Sequence, residues 1–115
     1  SQDPEFRYIP VSRTLMFLEA SIIKGLQWTV FEPNSQILWT TVRGMIENFL
    51  YNRWRDGALH GATPDSAFFV KCDQTTMTQE DIENGKLICI VGAAMLRPAE
   101  FIVFKTGTSL KNLGS

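Results

Sequence analysis

Apolar residues recur at helical spacing in two stretches of the chain. Leu15, Leu18, Ile22 and Leu26 follow one another at steps of three and four, while Arg13, Glu19 and Lys24 mostly fall off that stripe. The pattern predicts an amphipathic helix of about 12–14 residues. Pro10 and Ser12 open it, with Ser12 as candidate N-cap, and Gly25 stops it. In the second stretch Leu38, Val42, Met45, Phe49 and Asn52 form one row, and Trp39, Ile46, Leu50 and Trp54 widen the apolar face. A helix is expected from about residue 35 to about residue 55, roughly 30 Å long. Asn34 or Ser35 caps it and Asp56-Gly57 ends it. Arg43 and Glu47, on its other side, are spaced to pair weakly.

The remaining segments lack that period. Residues 27–32, Gln-Trp-Thr-Val-Phe-Glu, are aromatic and β-branched and predict a short extended segment closed by Pro33. Residues 61–65 are a turn-rich connector. Residues 67–73 read as a buried strand, followed by a polar stretch in which Thr78 caps one helical turn before Gly85 stops it. Residues 87–96 are a second strand with Gly92 as a candidate bulge. Arg97-Pro98-Ala99 interrupts it, residues 100–105 form a third strand, and residues 106–115 are a polar, loose tail. The sum is an α+β domain: two amphipathic helices on a small, mainly antiparallel sheet with two open edges.

Composition narrows the class. A chain of 115 residues is one domain's worth, and 44% hydrophobic with 20% charged residues is ordinary globular usage. Eleven basic and twelve acidic side chains leave a net charge of −1, which argues against a dedicated nucleic-acid binder. No apolar run reaches the ~18–20 residues of a membrane span and no signal-peptide core is present. The first six residues, Ser1-Gln2-Asp3-Pro4-Glu5-Phe6, resemble a vector-derived scar and are set aside. The remaining sequence begins at Arg7 without an initiating Met and is expected to be part of a longer protein.

Candidate chemistry is sparse. The two cysteines, Cys72 and Cys89, form neither a disulfide framework nor a CxxC motif, and are expected as free, buried thiols in a reducing cytosol. His60, the single histidine, could meet Cys72 as a thiol dyad, but an apolar strand blunts Cys72, and a thiol-dependent enzyme is set aside. Glu80, Asp81 and Glu83 lack the alternating ligands of a calcium loop. Gly57, Gly61 and Gly92 are too scattered for a phosphate cradle. Arg43, Arg53 and Arg55 beside Trp54 could touch phosphates and a base, against the charge balance. No catalytic set, metal site or cofactor is expected. Apolar strands with open edges are a liability unless a partner pairs with them, so the residues read as a domain built to polymerise or to dock.

A family pattern then emerges. Trp28-Thr29-Val30-Phe31-Glu32-Pro33-Asn34, Leu38-Trp39, and the helix leading to Trp54-Arg55-Asp56-Gly57-Ala58-Leu59 resemble the C-terminal domain of contractile tail sheath proteins. Gly61-Ala62-Thr63-Pro64, Ala67-Phe68-Phe69-Val70-Lys71-Cys72-Asp73 and Arg97-Pro98-Ala99-Glu100-Phe101 continue it in order. The resemblance covers residues 7–105. It implies a structural domain, not an enzyme, in a sheath of hexameric rings around an inner tube. Such a sheath is stored extended and contracts to drive the tube through a target envelope. Phe101, Ile102, Val103, Phe104 and Lys105 resemble an arm donated to a neighbour, and Pro98 marks where the arm leaves its own domain. The strands carrying Phe69, Val70, Ile88 and Ile90 resemble the receiving sheet.

The same resemblance makes Arg43, Arg53 and Arg55 the candidate tube contacts. Its implied partners are other sheath subunits, the inner tube protein, and baseplate and terminator proteins, with no nucleic acid and no direct membrane insertion. Assembly is expected in the bacterial cytoplasm, as part of a phage tail or tail-like injection particle. A baseplate or tail-terminator component using the same strand addition is the alternative. In this chain alone, the sheet edge is expected to be filled by its own arm folding back, by a swapped neighbour or by lattice contacts.

Overall fold

The structure, a computed structural model, describes residues 4–95 and 101–111. Residues 1–3 of the stretch set aside, the Arg97-Pro98-Ala99 interruption and the last four residues of the tail lie outside the described residues. The order is α1 (Pro4–Gly25), a 3-10 turn (Gln27–Phe31), α2 (Gln36–Arg55), α3 (Pro64–Ala67), β1 (Phe68–Lys71), α4 (Gln79–Glu83), β2 (Lys86–Ala94) and β3 (Phe101–Ser109).

Helix α1 has 22 residues, so Ser12 lies inside it instead of capping it. Extending a formed helix costs far less than starting one. The half anchored by Leu18, Ile22 and Leu26, all buried, therefore carries its upstream residues, Pro4 to Phe6 included. The predicted extended segment at 27–32 is also corrected. Thr29 is fully buried, and both its N–H (3.0 Å) and its hydroxyl (2.6 Å) donate to the Leu26 carbonyl. That local side-chain bond closes a 3-10 turn and outweighs the β preference of the sequence around it. Only Glu32, ahead of Pro33, is extended, with φ −85° and ψ 148°.

Helix α2 is as predicted. Ser35 is the N-cap, its hydroxyl accepting the Leu38 N–H. At the other end Gly57 takes φ 90°, and the Gly57 and Ala58 N–H groups reach back to the Trp54 and Arg53 carbonyls, closing a Schellman motif. Arg43 and Glu47 do not pair: among the described residues the ion pair is Arg53–Asp56, at 3.0 Å.

The first predicted strand is shorter than expected. A Thr63/Ser66 capping box starts the α3 turn and takes Ala67 from it, and the turn that follows Cys72 removes the other end. Asp73 there accepts the Thr75 N–H at 2.8 Å. Helix α4 has the predicted Thr78 cap, with the Asp81 carboxylate returning a bond to the Thr78 N–H at 3.0 Å. That bond holds the Asp81 carboxyl below its ordinary pKa.

The sheet has the order β1-β2-β3, antiparallel throughout. Strand β3 runs on through Thr106 to Ser109, residues predicted as loose tail, because they pair with Cys89 back to Lys86. Gly92 makes no bulge. It pairs in regular register with Phe69 and Val103, and a Cβ there would fall 2.0 Å from the Phe69 ring. The inner face, with Leu87, Cys89 and Val91, joins α1 and α2 in one buried core. Helix α2 lies against β1 and α1 against β3. Among the described residues no helix is long and apolar enough to cross a membrane.

Candidate assembly surface

The arm predicted at Phe101–Lys105 is folded back on its own domain. Ile102 pairs with Ala93 and Phe104 with Val91, and both pack on the core. Phe101, Val103 and Lys105 point the other way and stay exposed. Beyond them the arm is locked by close backbone approach. Gly107 takes φ +154°, and a Cβ there would lie 1.8 Å from the Leu87 carbonyl oxygen. The Leu110 N–H donates to the Gly85 carbonyl and the Lys111 N–H to the Val30 carbonyl, each at 2.6 Å. One inward group is left unmatched, the buried Thr106 hydroxyl.

Strands β1 and β3 flank β2, and among the described residues no further strand pairs with either of them. Edge β1 is four residues long. Of the predicted receiving residues, Val70 faces the core while Phe69 faces out, and Ile88 and Ile90 are half-buried on β2. The outer face of the sheet is built around the Phe69 ring, which lies over Gly92 and meets Phe101 edge-on at 5.3 Å. One rung along, Lys71, Ile90 and Lys105 stand side by side, so an apolar patch is rimmed by lysine.

The three arginines do not share a surface. Arg53 is tied into the seam between the helices: its guanidinium bonds Asp56 at 3.0 Å and lies 5.8 and 5.9 Å from the Phe17 and Phe49 ring centres. Arg43 and Arg55 are exposed but stand about 120° apart around the helix. Arg43 lines a cleft of about 430 Å³ with Trp39, Cys72 and Asp73.

The other chemistry weighed in the sequence stays apart. The His60 N–H bonds the Ala94 carbonyl at 2.8 Å, at the far end of β2 from Cys89. Cys72, beside Cys89, is thus separated from His60 by roughly 15 Å of strand. Asp81 is used in its capping box, and among the described residues no group of three His, Cys, Asp or Glu could hold a metal. Two contacts escaped sequence reasoning altogether: the Asn34 amide, which bonds Trp39 and Lys86, and the Phe69–Gly92–Phe101 stack. Neither has a spacing signal, since the Asn34–Lys86 bond and the placing of Phe69 over Gly92 join segments distant in sequence.

Comparison with known proteins agrees with this architecture. The family model of the phage tail sheath C-terminal domain matches residues 1–107. A chain of the anti-feeding prophage (AFP) baseplate, six-fold symmetrised, is 46% identical with a TM-score of 0.75, over 96% of this chain and 31% of that one. A chain of an extracellular contractile injection system, the PVC sheath complex in the contracted state, is 43% identical with a TM-score of 0.64, over 76% of this chain and 25% of that one. This chain therefore spans about a third or less of the length of these relatives. No curated protein matches it. With a family match across nearly its whole length, the chain belongs to the phage tail sheath C-terminal domain family.

Proposed function

We propose that this domain is the inner, tube-proximal part, residues 7–105, of a sheath subunit that polymerises around an inner tube and contracts to drive it through a target envelope. The observation that carries the reading is β3. It is a nine-residue arm whose pairing with β2 runs from Phe101↔Ala94 to Ser109↔Lys86. The same rungs, the same inward Ile102 and Phe104 and the same Gly107 contact form whether the arm is the domain's own or a neighbour's. In an array a neighbouring sheet is held close, so exchange proceeds at high effective concentration and little net cost. Phe101–Lys105 is then the donated segment, received by β2, the strand of Ile88 and Ile90, in the sheet that Phe69 and Val70 complete on its other side.

Arg43 and Arg55, exposed on α2, are the side chains available to a tube, whereas Arg53 serves the domain's own packing. The partners are other sheath subunits, the tube, and baseplate and terminator proteins, assembled in the bacterial cytoplasm. The role is mechanical and needs no cofactor. A baseplate role is the second reading, supported by the likeness to the AFP baseplate chain. With Lys105→Cys and Ile90→Cys placed on one paired rung of the full-length protein, oxidation of assembled particles is expected to link neighbouring subunits into ladders on a denaturing gel. Bonds within single chains only would contradict strand exchange.

A further inference from the structure

The last paired rung between β1 and β2 is Lys71↔Ile90, so the next position sets Cys72 across from Cys89. Both side chains follow the inward alternation of Val70 and Val91, and both are buried, at 4% and 0% exposure. The Cys72 thiol lies 3.9 Å from the Ile88 carbonyl oxygen, the peptide that leads into Cys89. The turn after Cys72 is fastened to the same carbonyl, to which the Thr76 hydroxyl donates at 2.7 Å. The Cys72 sulfur is therefore seated against the backbone that leads into Cys89. Cys72 also forms part of the wall of the Arg43 cleft, so one residue of the pair borders a solvent-facing cleft.

We propose that Cys72 and Cys89 are a modification site, a cross-strand disulfide that closes when the domain meets a small-molecule disulfide in an oxidising medium. Adjacent antiparallel positions stand within the Cα separation that a disulfide spans. The Cys72 thiolate attacks one sulfur of the oxidant, forming a mixed disulfide and releasing the first thiol. Cys89 then attacks the Cys72 sulfur, gives up its proton and expels the second thiol. Two protein thiols and one small disulfide become one protein disulfide and two small thiols. The neighbouring Cys72 thiol and burial both push Cys89 above its ordinary range, which slows the second step.

The bond would staple β1, the short edge strand, to the centre of the sheet. The reading of the domain as part of an injection particle enters at one point, as the reason an oxidising medium is met: a similar chain works in an extracellular contractile injection system. Bond formation is tested without any assembly, so the two ideas fail separately.

The 115-residue chain is incubated folded with oxidised glutathione, then denatured, alkylated and mapped by mass spectrometry. The expected product is a monomer lighter by two hydrogens, with the Cys72 and Cys89 peptides linked and neither thiol alkylated. Its unfolding equilibrium should shift toward the folded state by roughly a hundredfold, reversed by dithiothreitol. Cys72→Ser and Cys72→Ala should each leave Cys89 alkylatable and remove the shift. Two free thiols after prolonged exposure, a glutathione adduct that never resolves, or bonds between chains only would overturn the proposal. So would a bond that forms in the denatured chain but not in the folded one.

Discussion

Replacing Gly107 with alanine is expected to detach the far half of β3 and cost about 3 kcal/mol of stability. Two effects add at this position. The backbone holds φ +154°, where a side chain is strained in any surroundings, and the added Cβ would fall 1.8 Å from the Leu87 carbonyl oxygen. That neighbour is backbone in the central strand, so no rotamer change relieves the overlap. Relief comes from lifting Thr106–Ser109 off β2, which exposes the buried Leu110 and breaks its bond to Gly85. Denaturant unfolding reads the loss, and hydrogen exchange localises it to β3 while the amides of α2 stay protected. A variant within about 0.5 kcal/mol of the parent, the range of an ordinary surface substitution, would contradict this account of the arm's seat.

The Asn34→Ala variant is expected to lose about 2 kcal/mol. The Asn34 side chain joins three elements: its oxygen accepts the Trp39 indole N–H at 2.6 Å, and its amide donates to the Lys86 carbonyl at 3.0 Å and the Ile82 carbonyl at 3.4 Å. Alanine strands the N–H of an indole that is only 7% exposed and removes the donor that ties α2 to α4 and β2. An Asn34→Asp variant separates the two halves of this role. It keeps an acceptor for Trp39 but sets a carboxylate against two carbonyls, so it should not restore the parent's midpoint at neutral pH. Full stability of Asn34→Asp would show that the amide donor does nothing.

These two residues also mark where sequence reading stops. The face of α2 was legible from the row Leu38, Val42, Met45, Phe49, and its ends from Ser35 and Gly57, because helix spacing and caps are local. The Thr78 cap was legible for the same reason, though the bond that Asp81 returns to it was not read. Residues 27–31 misled because the Thr29 hydroxyl finds the Leu26 carbonyl, a bond that strand propensity does not register. In the run Phe101-Ile102-Val103-Phe104 every residue is apolar, so alternation could not tell inward from outward; register with β2 does. Gly92 reads as a bulge until the ring of Phe69, a strand away, is seen to lie over it. The three arginines share a helix in sequence, yet its turn divides them and the pairing with Asp56 claims one.

Negative-stain electron microscopy of the full-length protein, alone and with its tube protein, tests the central claim most directly. A sheath subunit forms long, cogwheel-sectioned cylinders, lengthened or ordered by the tube, and that is the result expected. Discrete closed rings or dispersed monomers under both conditions would contradict the sheath reading and favour the baseplate one.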